Sequence, residues 1–399
     1  MTKGVFTREL SAEFEYGRSQ TPEYDFLNRS PRAEVESVRL LIEEWFGRVP
    51  QNERARILSS LRSRKNPEHW GAFFELFCHE MLLRNGYGVE MQPHSPHGKT
   101  KDFRASGRTF AFEMEASVCL DSFQNQHSVV NQLTDFIDEH AFAAGFRYSI
   151  QLTHEGSNLP PLRLLSEQIR DWANGFNREE QRRLLEESNF EALPVRTFSH
   201  DDWEVEIRLI PRPIDESQTH GFKKAIGIGP VFSGWLQHDK AMLNTLKGKA
   251  AKYPDRDHPF IIAINTMFGF GTHDEIDVFQ ALLGTERVTV DLKTLQSKPS
   301  RAADGLWIGP KGPRNKRVSG VFVANHLRSW NVPRTKITLY LNPWAEKPID
   351  HSVLSCDAVS WDLPTGRKVE HSGKNPSEIF CLDPNWPETV GSNVSQAST

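Results

Sequence analysis

Three acidic residues close together in the chain have the spacing from which chemistry can be read. Glu113 and Glu115 stand two apart in the stretch Arg108 to Ala116, alternating with Phe110, Phe112 and Met114. Alternate side chains of a strand share a face, so the two carboxylates converge on one side. Like charges side by side on a strand cost stability unless neutralised, and a divalent cation neutralises them most directly. If the segment before Gly107 pairs as the neighbouring strand, the turn brings Asp102 beside Glu113. Asp102 then adds a third oxygen donor, and a hard cation held by carboxylates and water becomes geometrically possible. The blander reading of the same residues is an acidic strand face with a loop aspartate on the surface.

Upstream, Trp70, Phe73, Phe74, Phe77 and Met81 form one stripe of a helix that would pack on a sheet. Glu75 falls off the stripe, on the side of Cys78 and Leu82, where a half-covered carboxylate can face a site or simply flank the core. Glu80, at the border of the stripe beside Phe73, is the second choice. His94 and His97 lie in the loop Pro93 to Gly98, but no further cysteine or histidine follows at zinc spacing.

Glu75 in a helix, Asp102 at a strand start and Glu113-Met114-Glu115 on a later strand follow the order helix, strand, strand, strand. This resembles the PD-(D/E)XK nuclease superfamily over Trp70 to Glu139, about a sixth of the chain. The resemblance implies a restriction-endonuclease-like α/β fold with magnesium, or manganese, held between Asp102 and Glu113. Lys101 stands where the family often has proline, and Glu115 where it usually has lysine. Some restriction endonucleases that the chain resembles also carry glutamate there. Glu115 would orient or deprotonate a water, or hold a second ion, and Glu75 would complete the outer shell. The helix Asp239 to Tyr253 carries Lys240, Lys247, Lys249 and Lys252, and Lys249 or Lys247 can supply the missing lysine.

Other elements must hold these residues in place. Met1 to Arg32 reads as a loosely held arm, followed by helices Arg32 to Gly47 and Gln51 to Arg62, so that residues 1–62 form a helical lead-in. Asn85-Gly86-Tyr87 closes the central helix, and Tyr87 to Gln92 opens the first strand. A helix from Gln126 to His140, a strand Phe146 to Thr153 and a helix Leu162 to Phe176 extend a mixed α/β layer. Asn177 to Leu193 reads as a charged, solvated helix, and Trp203 to Pro211 alternates as a half-buried strand. Gly227 to Pro230 and Gly269 to Thr272 read as turns without a phosphate-loop lysine. His258 to Asn265 is fully apolar in Phe260 to Ile264 and belongs at a sheet centre, so residues 63–350 read as one elaborated nuclease-like domain with insertions. Asp274 to Leu283 is a short helix, and Trp307 to Pro310, Val318 to Asn325 and Lys336 to Asn342 are strands of a C-terminal β elaboration. Residues 351–399 read as a polar tail, disordered from Asp383.

With 399 residues, 38% hydrophobic and 25% charged, the composition is that of a globular protein. No apolar run reaches the ~20 residues of a membrane span, and Met1 to Leu10 lacks a signal-peptide pattern, so the expected location is cytoplasmic. Cys78, Cys119, Cys356 and Cys381 are too scattered for a zinc site and read as reduced thiols. A net charge of −4 gives no global pull towards nucleic acid, so local patches must provide it. One is Arg54, Arg56, Arg62, Arg64 and Lys65; the other is the loop Lys311 to Arg317, with Lys311, Arg314, Lys316 and Arg317. The expected activity is metal-dependent hydrolysis of double-stranded DNA, in defence or DNA processing, by a possible homodimer. The alternative is an inactive nuclease-like module that binds DNA or protein. A glycosidase is disfavoured, because Glu113 and Glu115 are too close to flank a sugar.

Overall fold

The computed structural model describes residues 4–14, 21–93, 100–120, 132–138, 140–143, 145–154, 160–212, 225–231, 237–252, 257–268, 273–290 and 297–388. The chain divides into two compact units. Met1–Gly17, Thr21–Ser122 and Gln237–Thr399 form the first; Arg18–Gln20 and Phe123–Leu236 form the second.

In the first unit, helices α1 (Glu23–Arg29), α2 (Ala33–Gly47), α3 (Arg54–Leu61) and α4 (Asn66–Arg84) lead into strands β1 (Gly88–Met91), β2 (Phe103–Ser106) and β3 (Ala111–Leu120). The second unit then follows. It contains a helical stretch α5 (132–138), β4 (Phe146–His154), α6 (Leu162–Asn174), α7 (Arg178–Glu187), β5 (Val195–His200), β6 (Trp203–Pro211) and β7 (Ile226–Val231). The first unit resumes with α8 (His238–Lys252), β8 (Phe260–Met267) and α9 (Glu275–Leu283). The hairpins β9 (Glu286–Val290) with β10 (Ser297–Arg301) and β11 (Ile308–Gly309) with β12 (Gly312–Pro313) come next. Strands β13 (Gly320–Asn325), β14 (Ile337–Leu341), β15 (Asp357–Asp362) and β16 (Arg367–His371) and helix α10 (Pro376–Phe380) complete it.

The first unit is mixed α/β, a central mixed sheet flanked by helices. Its eight strands run β1-β2-β3-β8-β13-β14-β15-β16. The β1-β2-β3 meander is antiparallel, β3, β8 and β13 are mutually parallel, and β14 runs antiparallel to β13. As its unbroken apolar run requires, β8 sits inside the sheet with every residue buried. Ile261 and Ala263 join the core with α4, whereas Phe260, Ile262 and Ile264 join the core with α8 and α9. Helix α4 lies on one face of β3 with Phe112 and Met114, and α8 lies on the other. Glu113 and Glu115 therefore point to the α8 side.

Several readings of the sequence are corrected by the fold. The described residues of the N-terminal arm are not loose: Val5 and Leu27 are buried, and Glu23 accepts from Trp70 Nε1 at 2.5 Å and Arg328 Nη1 at 3.1 Å. These are isolated anchors with no period, so pattern reading passes over them. The supposed tail from residue 351 supplies β15, β16 and α10, and Trp386 is buried. Edge pairing to β14 recruits this polar stretch through backbone hydrogen bonds, which composition does not report. Residues 389–399 lie outside the described residues. Gly227 to Pro230 is not a turn but part of β7. A Cβ at Gly227 would come within 3.2 Å of Arg147 Cβ, so the glycine serves a close approach between strands.

In the second unit, the order is β5-β6-β4-β7, with Tyr148, Ile150, Val205, Ile207 and Leu209 facing Leu133, Ile137, Leu165 and Ile169. Phe146 to Thr153 thus builds a separate sheet rather than extending the layer begun by β1 to β3. The charged helix α7 buries no residue, as its composition implies.

Candidate carboxylate and lysine site

Strand register decides which groups meet. Phe103 pairs with Met114 and Arg104 with Glu113, and one further step sets Asp102 against Glu115. Residues opposed on antiparallel strands share a face. Asp102 is therefore beside Glu115, and the expected Asp102 and Glu113 pair does not form. Glu113 instead accepts from Lys101 Nζ on Oε2 and from Arg104 Nη2 on Oε1 at 3.3 Å, with only 1% of its side chain exposed. Two cations already neutralise it.

Asp102 is held at a fixed angle. Its Oδ2 accepts from the Ala116 amide at 2.8 Å and its Oδ1 from Gln92 Nε2 at 3.0 Å. Burial pushes its pKa up to about 7, with the Glu115 and Glu75 carboxylates adding to the rise and the Ala116 amide and Lys249 opposing it. Glu75 is thus near enough to be felt by Asp102, as is Cys78, whose buried thiol is pushed up by desolvation, then Asp102 and Glu75. Glu75 is clamped by Arg56, whose Nη1 lies 3.0 Å from Oε2. Glu80 is remote in role: Arg48 and Arg84 both bind its Oε1.

The helix α8 completes the site. Met242, Leu246 and Ala250 are buried against the sheet, which turns Lys249 and Lys252 towards β3. Lys249 Nζ and Lys252 Nζ each lie 2.9 Å from Glu115 Oε1. Lys249 stands where the sequence suggested a cation; Lys247 is exposed and makes no such pair in the structure. The sequence does not distinguish Lys252, although its i,i+3 spacing from Lys249 places both on one helix face. Nor does it mark Lys101 and Arg104 as partners of Glu113. Only knowledge of the register reveals that Arg104 faces Glu113.

The two basic patches are largely spent inside the protein. Arg54 donates to Val49 and Gly47 carbonyls, Arg56 binds Glu53 and Glu75, and Arg62 donates to Val5 and Gly4 carbonyls. Arg64 pairs with Asp25 and Lys65 with Glu68. In the second patch Arg314 holds the Gly305 carbonyl at 3.0 Å through Nε, and Arg317 holds the Ala250 carbonyl at 2.8 Å. Lys311 and Lys316 are the exposed members. Arg317 thereby fastens the last turn of α8, the turn that carries Lys252.

His94, His97 and Gly269 to Thr272 lie outside the described residues. Among the described residues, no three His, Cys, Asp or Glu side chains converge as a metal cage. No described helix is long and apolar enough to cross a membrane. The four cysteines form no disulfide; Cys78, Cys119 and Cys356 are buried and Cys381 is exposed. No family model, curated protein or solved structure matches the chain.

Proposed function

We propose that the chain is a divalent-metal-dependent phosphodiesterase acting on DNA, built on a restriction-endonuclease-like form of its mixed sheet. One observation carries this reading: Asp102, the residue before β2, bonds the Ala116 amide of β3 and lies close enough to Glu115 to feel its charge, and Lys249 Nζ lies 2.9 Å from Glu115 Oε1. Two hard oxygen donors and an ammonium thus meet: Glu115 on a central strand, Lys249 on a packed helix, and Asp102 just before β2, fixed by the Ala116 amide and Gln92.

The donors suit magnesium. This ion keeps several waters and takes only one or two protein carboxylates, so a three-residue cage is not needed. Burial, with Glu115 and Glu75 beside it, raises the pKa of Asp102 to about 7, so its negative charge is one that a bound cation would stabilise. In this reading Asp102 and Glu115 are the ligands. Glu113 is removed from the set, because Lys101 and Arg104 occupy both its oxygens. An ion held there would polarise a phosphate and acidify a bound water. The chain's own groups do the rest. Lys249 and Lys252 offset charge that develops on the phosphate, and the Ala116 amide and Gln92 keep Asp102 aimed. Glu75, fixed by Arg56, acts as the outer carboxylate. Lys311 and Lys316 are left to touch the DNA backbone.

A plasmid and oligonucleotide cleavage assay with magnesium, manganese or chelator tests this. Wild type should cut only with an ion present, and Asp102→Asn and Glu115→Gln should each lose at least about 100-fold. A wild type that never cuts points to the second reading, a nuclease-like module that only binds. That reading has its own support: Glu75, Glu113 and Glu115 each have a cationic side-chain partner within the protein.

A further inference from the structure

Glu115 carries one negative charge, yet two ammonium groups sit on the same oxygen. The two lysines repel each other, so holding both there is less favourable than holding one. Their side chains are 26% and 40% exposed, against 1% for Glu115. The backbone beneath them is pinned, because Ala250 is buried and its carbonyl accepts from Arg317. Any rearrangement therefore belongs to the flexible four-carbon stems. Around the carboxylates of Asp102, Glu113 and Glu115 stand four cations: Lys101, Arg104, Lys249 and Lys252. A divalent ion taken up by Glu115 would have to compete with Lys249 and Lys252 for the same carboxylate.

Resting on the reading above, we propose that Lys249 and Lys252 are an internal counter-ion that a divalent cation displaces from Glu115. Lys252, the more exposed, then turns to a phosphate of the DNA substrate. The ion alone meets an opposing charge, whereas the ion with a phosphate does not. Ion and DNA therefore strengthen each other's binding, by an equal factor in both directions. Lys252 acts as the go-between, neutralising Glu115 in the empty site and the phosphate in the loaded one.

Calorimetric titration of the full chain with manganese, in the absence of DNA, is the first test. Lys252→Met removes a competing cation and should bind manganese about tenfold more tightly than wild type. Lys247→Met, on the same helix but away from Glu115, should stay within about twofold. Asp102→Asn should lose the binding. If Asp102→Asn loses it but Lys252→Met gains nothing, the ion site stands and the displacement is wrong. If Asp102→Asn binds like wild type, the ion site itself is misplaced and the proposal falls with it. The second test measures binding of a short duplex oligonucleotide in calcium and in chelator. Lys252→Met should weaken it in calcium and leave it unchanged in chelator; equal weakening in both would overturn the proposal, since Lys252 would then face the DNA all along.

Discussion

Asp102 is an acid that its own fold disfavours. Its carboxyl is raised from the usual value to about 7 in the folded chain, chiefly by burial and by Glu115 and Glu75. The unfolded chain releases that proton near pH 4, so stability falls as pH rises from there through about 7. Below both values the penalty is absent. Asp102→Asn should therefore stabilise the chain by roughly 2 kcal/mol at pH 8 in chelator and by little at pH 4, read from thermal melts. A gain at pH 8 together with lost cleavage is the signature of a functional carboxylate kept at a cost in stability. Glu113 should behave oppositely. Glu113→Gln leaves Lys101 and Arg104 facing a buried neutral group and should cost about 3 kcal/mol, a loss that Lys101→Met in the same chain partly restores. Denaturant melts of the two single variants and the double variant give the coupling. Additive losses would mean that the pair does not interact.

At the scale of elements, α8 is the part of the site whose placement depends on a distant loop. Arg317, from the segment before β13, donates to the Ala250 carbonyl in the last turn of α8, where a cation also complements the helix dipole. Arg317→Ala should loosen that turn and lower turnover by about tenfold while leaving DNA affinity nearly unchanged, measured under single-turnover conditions. Lys311 and Lys316 should show the reverse. Neutralising both should weaken DNA binding and flatten its salt dependence by about two phosphate contacts, with the melting temperature unchanged. An unaltered salt slope would remove this hairpin from the interface. Arg314, tied to the Gly305 carbonyl, belongs with the fold and not with the DNA.

For the molecule as a whole, the last strands matter more than their composition suggests. Val353, Leu354, Cys356, Ala358, Ile379, Phe380 and Trp386 belong to the same core as α4 and β8. Phe380 lies 5.1 Å from Trp45 and 4.9 Å from Phe77, ring centre to ring centre. A chain ended at Asp350 should lose these contacts, expose the flank of β14 and show no cooperative thermal transition. A sharp transition by circular dichroism in that truncated chain would show that the first unit closes without β15, β16 and α10.

Elements with strong local patterns are legible from residue order without the fold. The stripe from Trp70 to Met81, the alternation from Trp203 to Pro211, the unbroken run from Phe260 to Ile264 and the short helix before Gly284 all appear where their periods place them. Residue order also brings Lys249 and Lys247 forward as cations for the strand face, and the fold selects Lys249. Which carboxylates meet depends on how the strands pair in the folded chain. A turn at Gly107 can close with more than one register, and a step of two along β2 exchanges Glu113 for Glu115 as the partner of Asp102 without altering any residue's face. Nor could local pattern tell that Arg314 and Arg317 are anchors, because a carbonyl that accepts a guanidinium leaves no mark on composition. Pairing between distant strands is set by backbone hydrogen bonds and packing over the whole sheet, and β15 and β16 join it for that reason.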